Sequence, residues 1–168
     1  MKFLAESSKL AILCVGNDLR GDDSAGILVY EELVKKLSKN ESSNYFVLFN
    51  GGSLPENYTK PIRESRASHM LLIDAAEFGG KPGDVGLFSP DDITGSSYST
   101  HTLPLSIFLK TLAKATETRF SIIGIQPGRT ELGEPPDDII VTTSKIVAKE
   151  LLKAIETIED QIQSRMNK

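Results

Sequence analysis

Two adjacent aspartates, Asp22 and Asp23, lie in a loop that joins an apolar segment to an amphipathic one. The segment before them, residues 10–15, is short and continuously apolar, which is typical of a strand buried on both faces of a sheet. The segment after them predicts a helix, because its apolar side chains recur at helical spacing: Ile27, Tyr30, Val34 and Leu37. Carboxylates in a strand-to-helix loop suit metal binding, general-base chemistry or helix capping.

The loop has three possible functions. A phosphate site is disfavoured because Gly16 and Gly21 match no dinucleotide or P-loop pattern, and Asp22 stands where a P-loop needs lysine. Helix capping by Asp22, Asp23 and Ser24 is the simplest interpretation of the loop alone. A carboxylate beyond the number that capping needs favours an active-site loop.

A third carboxylate, Asp74, ends the apolar segment 69–74, which predicts another strand. Ligands in open α/β folds bind beyond the carboxyl ends of the strands, so Asp23 and Asp74 should lie at one crevice. His101 precedes a predicted helix and can reach the same crevice. The other histidine, His69, is expected to have a hydrogen-bonded surface role.

Asp23, Asp74 and His101 together form an oxygen and nitrogen donor set that suits a divalent transition metal. The coordination shell would be incomplete, since the set contains no thiolate and only one imidazole. We therefore expect these residues to hold a free metal weakly and to act on a metal that another molecule already holds.

Cys14 is the only cysteine, so no intramolecular disulfide can form. It lies inside the apolar segment 10–15, where burial raises the pKa of a thiol and makes it inert. We therefore expect a structural role for Cys14 and no nucleophilic cysteine chemistry.

The remaining pattern predicts the elements that position these residues. Strands are expected at residues 10–15, 45–49, 69–74, 85–88 (antiparallel, at an edge) and 120–125. Helices are expected at residues 27–37, 55–66 (kinked or restarted at Pro61), 105–112 and from Asp137 onward. Asn50 to Ser53 should be a turn or loop, and the tail 161–168 should fray. The fold class is α/β: a three-layer α/β/α sandwich with a mostly parallel five-stranded sheet and an antiparallel edge strand.

The composition of the chain limits its organisation and partners. Its 168 residues are expected to form a single domain, residues 1–168, with a polar extension at residues 1–9. A formal net charge of -4 and the lack of a long basic run argue against nucleic acid and anionic membranes as partners. No apolar run approaches the length of a signal peptide core or a membrane span, so a cytoplasmic protein, expected to be monomeric, is predicted.

Four motifs in order, spread over about residues 11–155, carry a family resemblance. They are Gly16-Asn17-x-Leu19-x-x-Asp22-Asp23-x-x-Gly26, Leu71-Leu72-Ile73-Asp74-Ala75, Ser99-Thr100-His101-x-Leu103-Pro104-Leu105 and Ile123-Gly124-Ile125-Gln126-Pro127. Together they resemble the nickel-iron hydrogenase maturation endopeptidases. The order of the four motifs is far more specific than any one of them.

The resemblance implies a cytoplasmic protease that removes the C-terminal extension of a hydrogenase large-subunit precursor after nickel insertion. The nickel would be supplied by the precursor and would mark it as ready, with no tightly held metal in the protease. The family's metal-contacting residues fall on Asp23, Asp74 and His101, which are therefore also the candidate catalytic residues.

The mechanism stays open at this point. The metal can polarise the scissile carbonyl, lower the pKa of a water, or only position the chain. Asp23 or Asp74 can act as general base toward that water, as an aspartyl-type peptidase would. The alternative function is a metal-sensing maturation chaperone on the same fold that binds the precursor without cutting it.

Overall fold

The computed structural model describes residues 2–37, 45–89, 92 and 102–166. Its sheet contains the strands β1 (Leu10–Val15), β2 (Phe46–Gly52), β3 (His69–Ala75), β4 (Val85–Phe88) and β5 (Arg119–Ile125). The α-helices are α1 (Lys2–Ala5), α2 (Ala25–Leu37), α3 (Thr59–Ser65), α4 (Thr102–Ala115) and α5 (Asp138–Met166). Two short 3₁₀ turns, Gly21–Ser24 and Pro55–Tyr58, precede α2 and α3. The 3₁₀-to-α transition at Thr59 and the position of Pro61 in the first turn of α3 confirm a restarted helix there.

The five strands form one sheet in the order β2-β1-β3-β5-β4. All neighbouring pairs are parallel except β4 with β5, which are antiparallel. The mostly parallel sheet with an antiparallel edge strand is therefore confirmed. In this order the carboxyl ends of β1, β2, β3 and β5 lie along one edge of the sheet, which we call the carboxyl edge.

Helices cover both faces of the sheet, as expected from a buried parallel sheet. Alternate residues of β1 face opposite layers: Leu10, Ile12 and Cys14 pack with α2 and α5, whereas Ala11, Leu13 and Val15 pack with α3 and α4. The predicted core face of α5 is buried: Ile140, Val147, Leu151, Ile155 and Ile158. The three-layer α/β/α arrangement therefore agrees with the prediction.

The prediction of which residues form the buried face of α2 was partly wrong. Val29 and Leu33 form its buried face, while Val34 is exposed. The reason is Gly26, which packs directly on the sheet and fixes the rotation of the helix, so that positions three and seven residues further on face the core.

The predicted turn at Asn50 to Ser53 was also wrong in part, because β2 continues through Gly52. Asn50 pairs with Cys14 and Gly52 with Val15, across an irregularity in the register of β1. Only glycine fits well at Gly51, where a Cβ atom would lie 3.0 Å from Leu13 Cδ1 and 3.1 Å from the Cys14 carbonyl oxygen. The glycines therefore extend an edge strand and do not terminate it.

The two ends of the described chain are helical. Residues Lys2–Ala5 form α1, and Leu4 within it is buried in the core that α5 and β1 share. The polar segment from Gln161 continues α5 as far as Met166. In the part of the chain that the structure describes, no helix is long and apolar enough to cross a membrane.

Candidate active site

The 3₁₀ turn Gly21–Ser24 brings Asp23 to the carboxyl edge of the sheet. Gly26, three residues later, lies so close to the sheet that a Cβ atom would be 2.0 Å from the Val15 carbonyl oxygen and 2.6 Å from that of Ile73. Because these oxygens belong to β1 and β3, the start of α2 is seated over both strand ends. Asp23 is fully buried there.

Asp74 follows Ile73 in β3 and is also fully buried. Its Oδ1 atom accepts a hydrogen bond of 2.9 Å from the backbone N–H of Ala75, which fixes the orientation of the carboxylate. The contact of Gly26 with the Ile73 carbonyl therefore places the segment carrying Asp23 against the segment carrying Asp74. The predicted convergence of Asp23 and Asp74 on one edge is present.

His101, the third predicted ligand, lies outside the described residues, which resume at Thr102 with the first residue of α4. Within the described ranges, no group of three His, Cys, Asp or Glu side chains could hold a metal ion. A site built from this chain's described carboxylates would therefore need a further donor.

Close backbone contacts fold the loop around Asp23 tightly. The Asn17 N–H donates to the Asp23 carbonyl oxygen at 3.0 Å, and the Gly16 N–H donates to the Gly52 carbonyl oxygen at 3.0 Å. A Cβ atom at Gly16 would lie 2.4 Å from the Asp23 carbonyl oxygen, so only glycine allows this approach. The first glycine of the motif therefore serves loop geometry and not phosphate binding.

The hydrogen bonds of the Asp22 carboxylate do not go to its own helix, which corrects the capping prediction for Asp22. Instead, its buried carboxylate accepts three backbone N–H groups from the distant segment 127–137. Oδ2 binds the N–H groups of Gly128 (2.7 Å) and Arg129 (2.9 Å), and Oδ1 binds that of Asp137 (2.7 Å). Since Asp137 immediately precedes α5, Asp22 caps the N-terminus of that helix in place of its own. Asp22 thereby fastens the segment 127–137 to the active-site loop.

Gln126, like Asp22, holds a distant segment through backbone hydrogen bonds. Its Oε1 atom accepts the backbone N–H groups of Phe78 (2.9 Å) and Gly80 (3.1 Å), which lie in the loop that follows Asp74. Gln126 belongs to the fourth sequence motif, but no role was predicted for it. The sequence shows only that an amide side chain stands at the end of an apolar strand. It does not show the hydrogen-bond partners of that amide, which are more than 40 residues away.

Comparisons with known proteins identify the family. The family model HycI, described as hydrogenase maturation protease, matches residues 27–161. The chain belongs to the hydrogenase maturation protease family. The hydrogenase 3 maturation protease of Escherichia coli K12 is 38% identical over 117 residues, which cover 69% of this chain and 71% of that protein.

Solved structures of the family share the fold of this protease. The crystal structure of the NiFe hydrogenase maturation protease HycI from Thermococcus kodakarensis superposes with a TM-score of 0.82 at 31% identity, over 92% of this chain and 97% of that one. The solution structure of the endopeptidase HycI from Escherichia coli gives a TM-score of 0.71 at 31% identity, over 84% of this chain and 87% of that one. The protein is thus an endopeptidase of hydrogenase maturation, and the resemblance drawn from the four motifs is confirmed.

Two other candidate groups of this protease, Cys14 and His69, lie in strands of the sheet. Cys14 is fully buried, and burial raises the pKa of its thiol far above the usual range. His69 is buried at the start of β3, where its Nδ1 atom is 3.0 Å from Ser68 Oγ and its ring packs edge-on against Phe3. The prediction of a surface role for His69 was therefore wrong, although the hydrogen bond is present. The N-terminal segment, with Phe3, packs against the start of β3 and covers the His69 ring.

Proposed function

We propose that this protease removes the C-terminal extension of a nickel-iron hydrogenase large-subunit precursor once nickel has been inserted. The observation that carries the proposal is the burial of Asp23 and Asp74 on segments that Gly26 brings into direct contact. Ionisable side chains that are buried at the ligand-binding edge of an α/β fold are frequent at functional sites. Two buried carboxylates at the carboxyl edge suit a site that receives a cation.

The cation in this proposal is the precursor's nickel, and Asp23, Asp74 and His101 contact it. Carboxylate oxygens and an imidazole nitrogen are hard or borderline donors, which bind free divalent nickel weakly when they are few. A precursor that already holds nickel through its own ligands supplies the rest of the coordination shell. The metal thus belongs to the substrate, and the protease recognises the precursor only when nickel is present.

For the hydrolysis itself we assign the role of general base to one of the two carboxylates, acting on a water molecule at the scissile bond. Cys14, the only cysteine in the sequence, is sealed in the core between β1 and the helices α2 and α5, so a thiol nucleophile is ruled out. The tight backbone contacts of Gly16 and Asn17 hold the Asp23 loop in one geometry, which favours precise placement of the base. The reaction is proposed to take place in the cytoplasm.

Mass spectrometry of the reaction products tests this proposal. Nickel-loaded precursor incubated with the protease should yield two products whose masses add up to that of the precursor plus one water. The smaller product should be the C-terminal peptide. Stable binding of intact precursor without any new mass would instead support the chaperone function.

A further inference from the structure

Three exposed leucines stand on separate loops around the carboxyl edge, and we call them the leucine rim: Leu19, Leu54 and Leu132. Their exposed fractions lie between 57% and 72%. Isolated exposed leucines are common on protein surfaces and need no explanation. Those of the rim differ because all three follow the ends of strands that lead into the candidate site.

The rim is held by hydrogen bonds to the active-site loop. The Leu19 carbonyl oxygen accepts the N–H of Gly133 at 2.8 Å, which joins the backbone next to Leu132 to the backbone of Leu19. The Leu19 N–H donates to Asn17 Oδ1 at 3.0 Å. The Asp22 carboxylate also binds the segment that carries Leu132, because it accepts the N–H groups of Gly128 and Arg129. The two leucines therefore lie on backbone that is hydrogen-bonded to the active-site loop, and Leu19 is four residues from Asp23 in the sequence.

Leu54 is attached to the same loop through its neighbour in the sequence. Ser53, its neighbour, donates from Oγ to the Gly16 carbonyl oxygen at 3.3 Å, and the Leu54 N–H donates to the Gly51 carbonyl oxygen at 3.2 Å. Gly16 is the residue whose close approach to Asp23 shapes the active-site loop. The rim is thus joined to the loop of the candidate site by hydrogen bonds.

We propose that the leucine rim docks an apolar surface of the hydrogenase precursor beside the scissile segment. The inference rests on the proposed function, which brings a folded polypeptide to this edge. An endopeptidase that uses few polar groups for its chemistry needs further contacts to select its substrate, and apolar side chains held ahead of binding supply affinity at low entropic cost. Continuity with the site identifies the occupant as the substrate and not a second copy of the protease.

Matched substitutions test this surface in steady-state cleavage assays. Leu19→Ser combined with Leu132→Ser should raise KM about tenfold and leave kcat within about twofold of wild type, because docking contacts act equally before and during the reaction. Ile146→Ser is the control, since Ile146 is 55% exposed but lies on α5, about 12 Å along the helix from its first residue. Its KM should match that of wild type.

The Leu87→Ser variant distinguishes docking on the leucine rim from addition of a substrate strand to the edge of the sheet at β4. Leu87 is 66% exposed on the edge strand β4, where an added substrate strand would contact it. A KM raised by Leu87→Ser, with the double rim variant at the wild-type value, would overturn the proposal in favour of the β4 edge. An unchanged KM in the double rim variant would overturn it whatever the other variants do. Equal increases in all three variants would also overturn it, because removal of any exposed apolar area would then suffice.

The assay keeps the two proposals separate. Wild-type rates on nickel-loaded and nickel-free precursor report on the proposed function. The ratio of variant to wild-type KM, measured on whichever precursor is cut, reports on the rim. Thermal melts of each variant verify that the serine substitutions leave the fold intact.

Discussion

Asp22 and Asp137 are 115 residues apart in sequence, and the carboxylate of the first accepts the backbone N–H of the second at 2.7 Å. The bond joins the active-site loop to the start of the longest helix, α5. Together with the N–H groups of Gly128 and Arg129, it gives one buried carboxylate three backbone donors. The first aspartate of the motif therefore organises the loop, and the second, Asp23, is the candidate for the site's chemistry.

Asp22→Asn should lower the free energy of unfolding by about 1 to 3 kcal/mol, because a neutral amide offers one oxygen to three donors and turns an N–H₂ group toward the others. Urea unfolding measures the loss. The control is Asp18→Asn, which removes the same charge from an exposed position of the same loop and should change stability by less than about 0.5 kcal/mol. Equal unfolding midpoints for the two variants would show that the three hydrogen bonds contribute nothing net.

Asp23→Asn and Asp74→Asn should each reduce the cleavage rate by at least about a hundredfold, since the amide neither binds a cation well nor accepts a proton. The side-chain volume is unchanged, so the melting temperatures should shift by only a few degrees. Cleavage assays and thermal melts measured in parallel separate the two effects. The sequence predicts the same for His101→Ala. Wild-type turnover by a folded Asp23→Asn variant would remove Asp23 from the site.

Cys14 in the native protein should resist thiol-directed reagents, because burial raises the pKa of its thiol and no reagent reaches it. Labelling in buffer and in denaturant, followed by mass spectrometry, measures this directly, and modification should be confined to the unfolded chain. Cys14→Ala should retain cleavage activity. Rapid labelling of the folded protein, or an inactive but folded Cys14→Ala variant, would contradict the structural role.

His69 should make the protein less stable as the pH falls below about 6.5. Burial lowers the pKa of this histidine, the charge of Arg119 lowers it further, and Glu6 opposes the shift. Between the folded pKa and about pH 6.5, the unfolded chain therefore binds a proton at His69 that the folded protein does not bind. The free energy of unfolding declines over this range as the pH falls. The slope due to this group cannot exceed about 1.4 kcal/mol per pH unit. Urea unfolding from pH 7 to 5 should show a shallower decline for His69→Gln than for wild type, and parallel curves would exclude His69 as the cause.

Most of the fold could be predicted from periodicity. The continuous apolar segments at Leu10–Val15 and His69–Ala75 are buried on both faces, and such segments leave few alternatives to central parallel strands. The rotation of α2 was not predictable in this way, because it depends on the contact of Gly26 with the carbonyl oxygens of Val15 and Ile73. A tertiary contact of one glycine thus overrode the local apolar pattern.

The candidate site was predictable only in part. Asp23 and Asp74 could be found because each stands where an apolar strand or its loop ends, a position that the sequence displays. The roles of Asp22 and Gln126 could not be found, since their partners lie in segments distant in sequence. Long-range hydrogen bonds to backbone N–H groups leave no periodic signal, and such carboxylates and amides look like ordinary loop residues.

The central claim, that the protease reads nickel held by its substrate, is tested most directly by cleavage rates on nickel-loaded and nickel-free precursor under the same conditions. Rapid cutting of the loaded form and little or none of the nickel-free form is predicted. Calorimetry with the protease alone should show only weak nickel binding, since the three proposed ligands, Asp23, Asp74 and His101, would leave the coordination shell incomplete. Equally rapid cutting of the nickel-free precursor would contradict the claim and assign the two buried carboxylates to the hydrolysis alone.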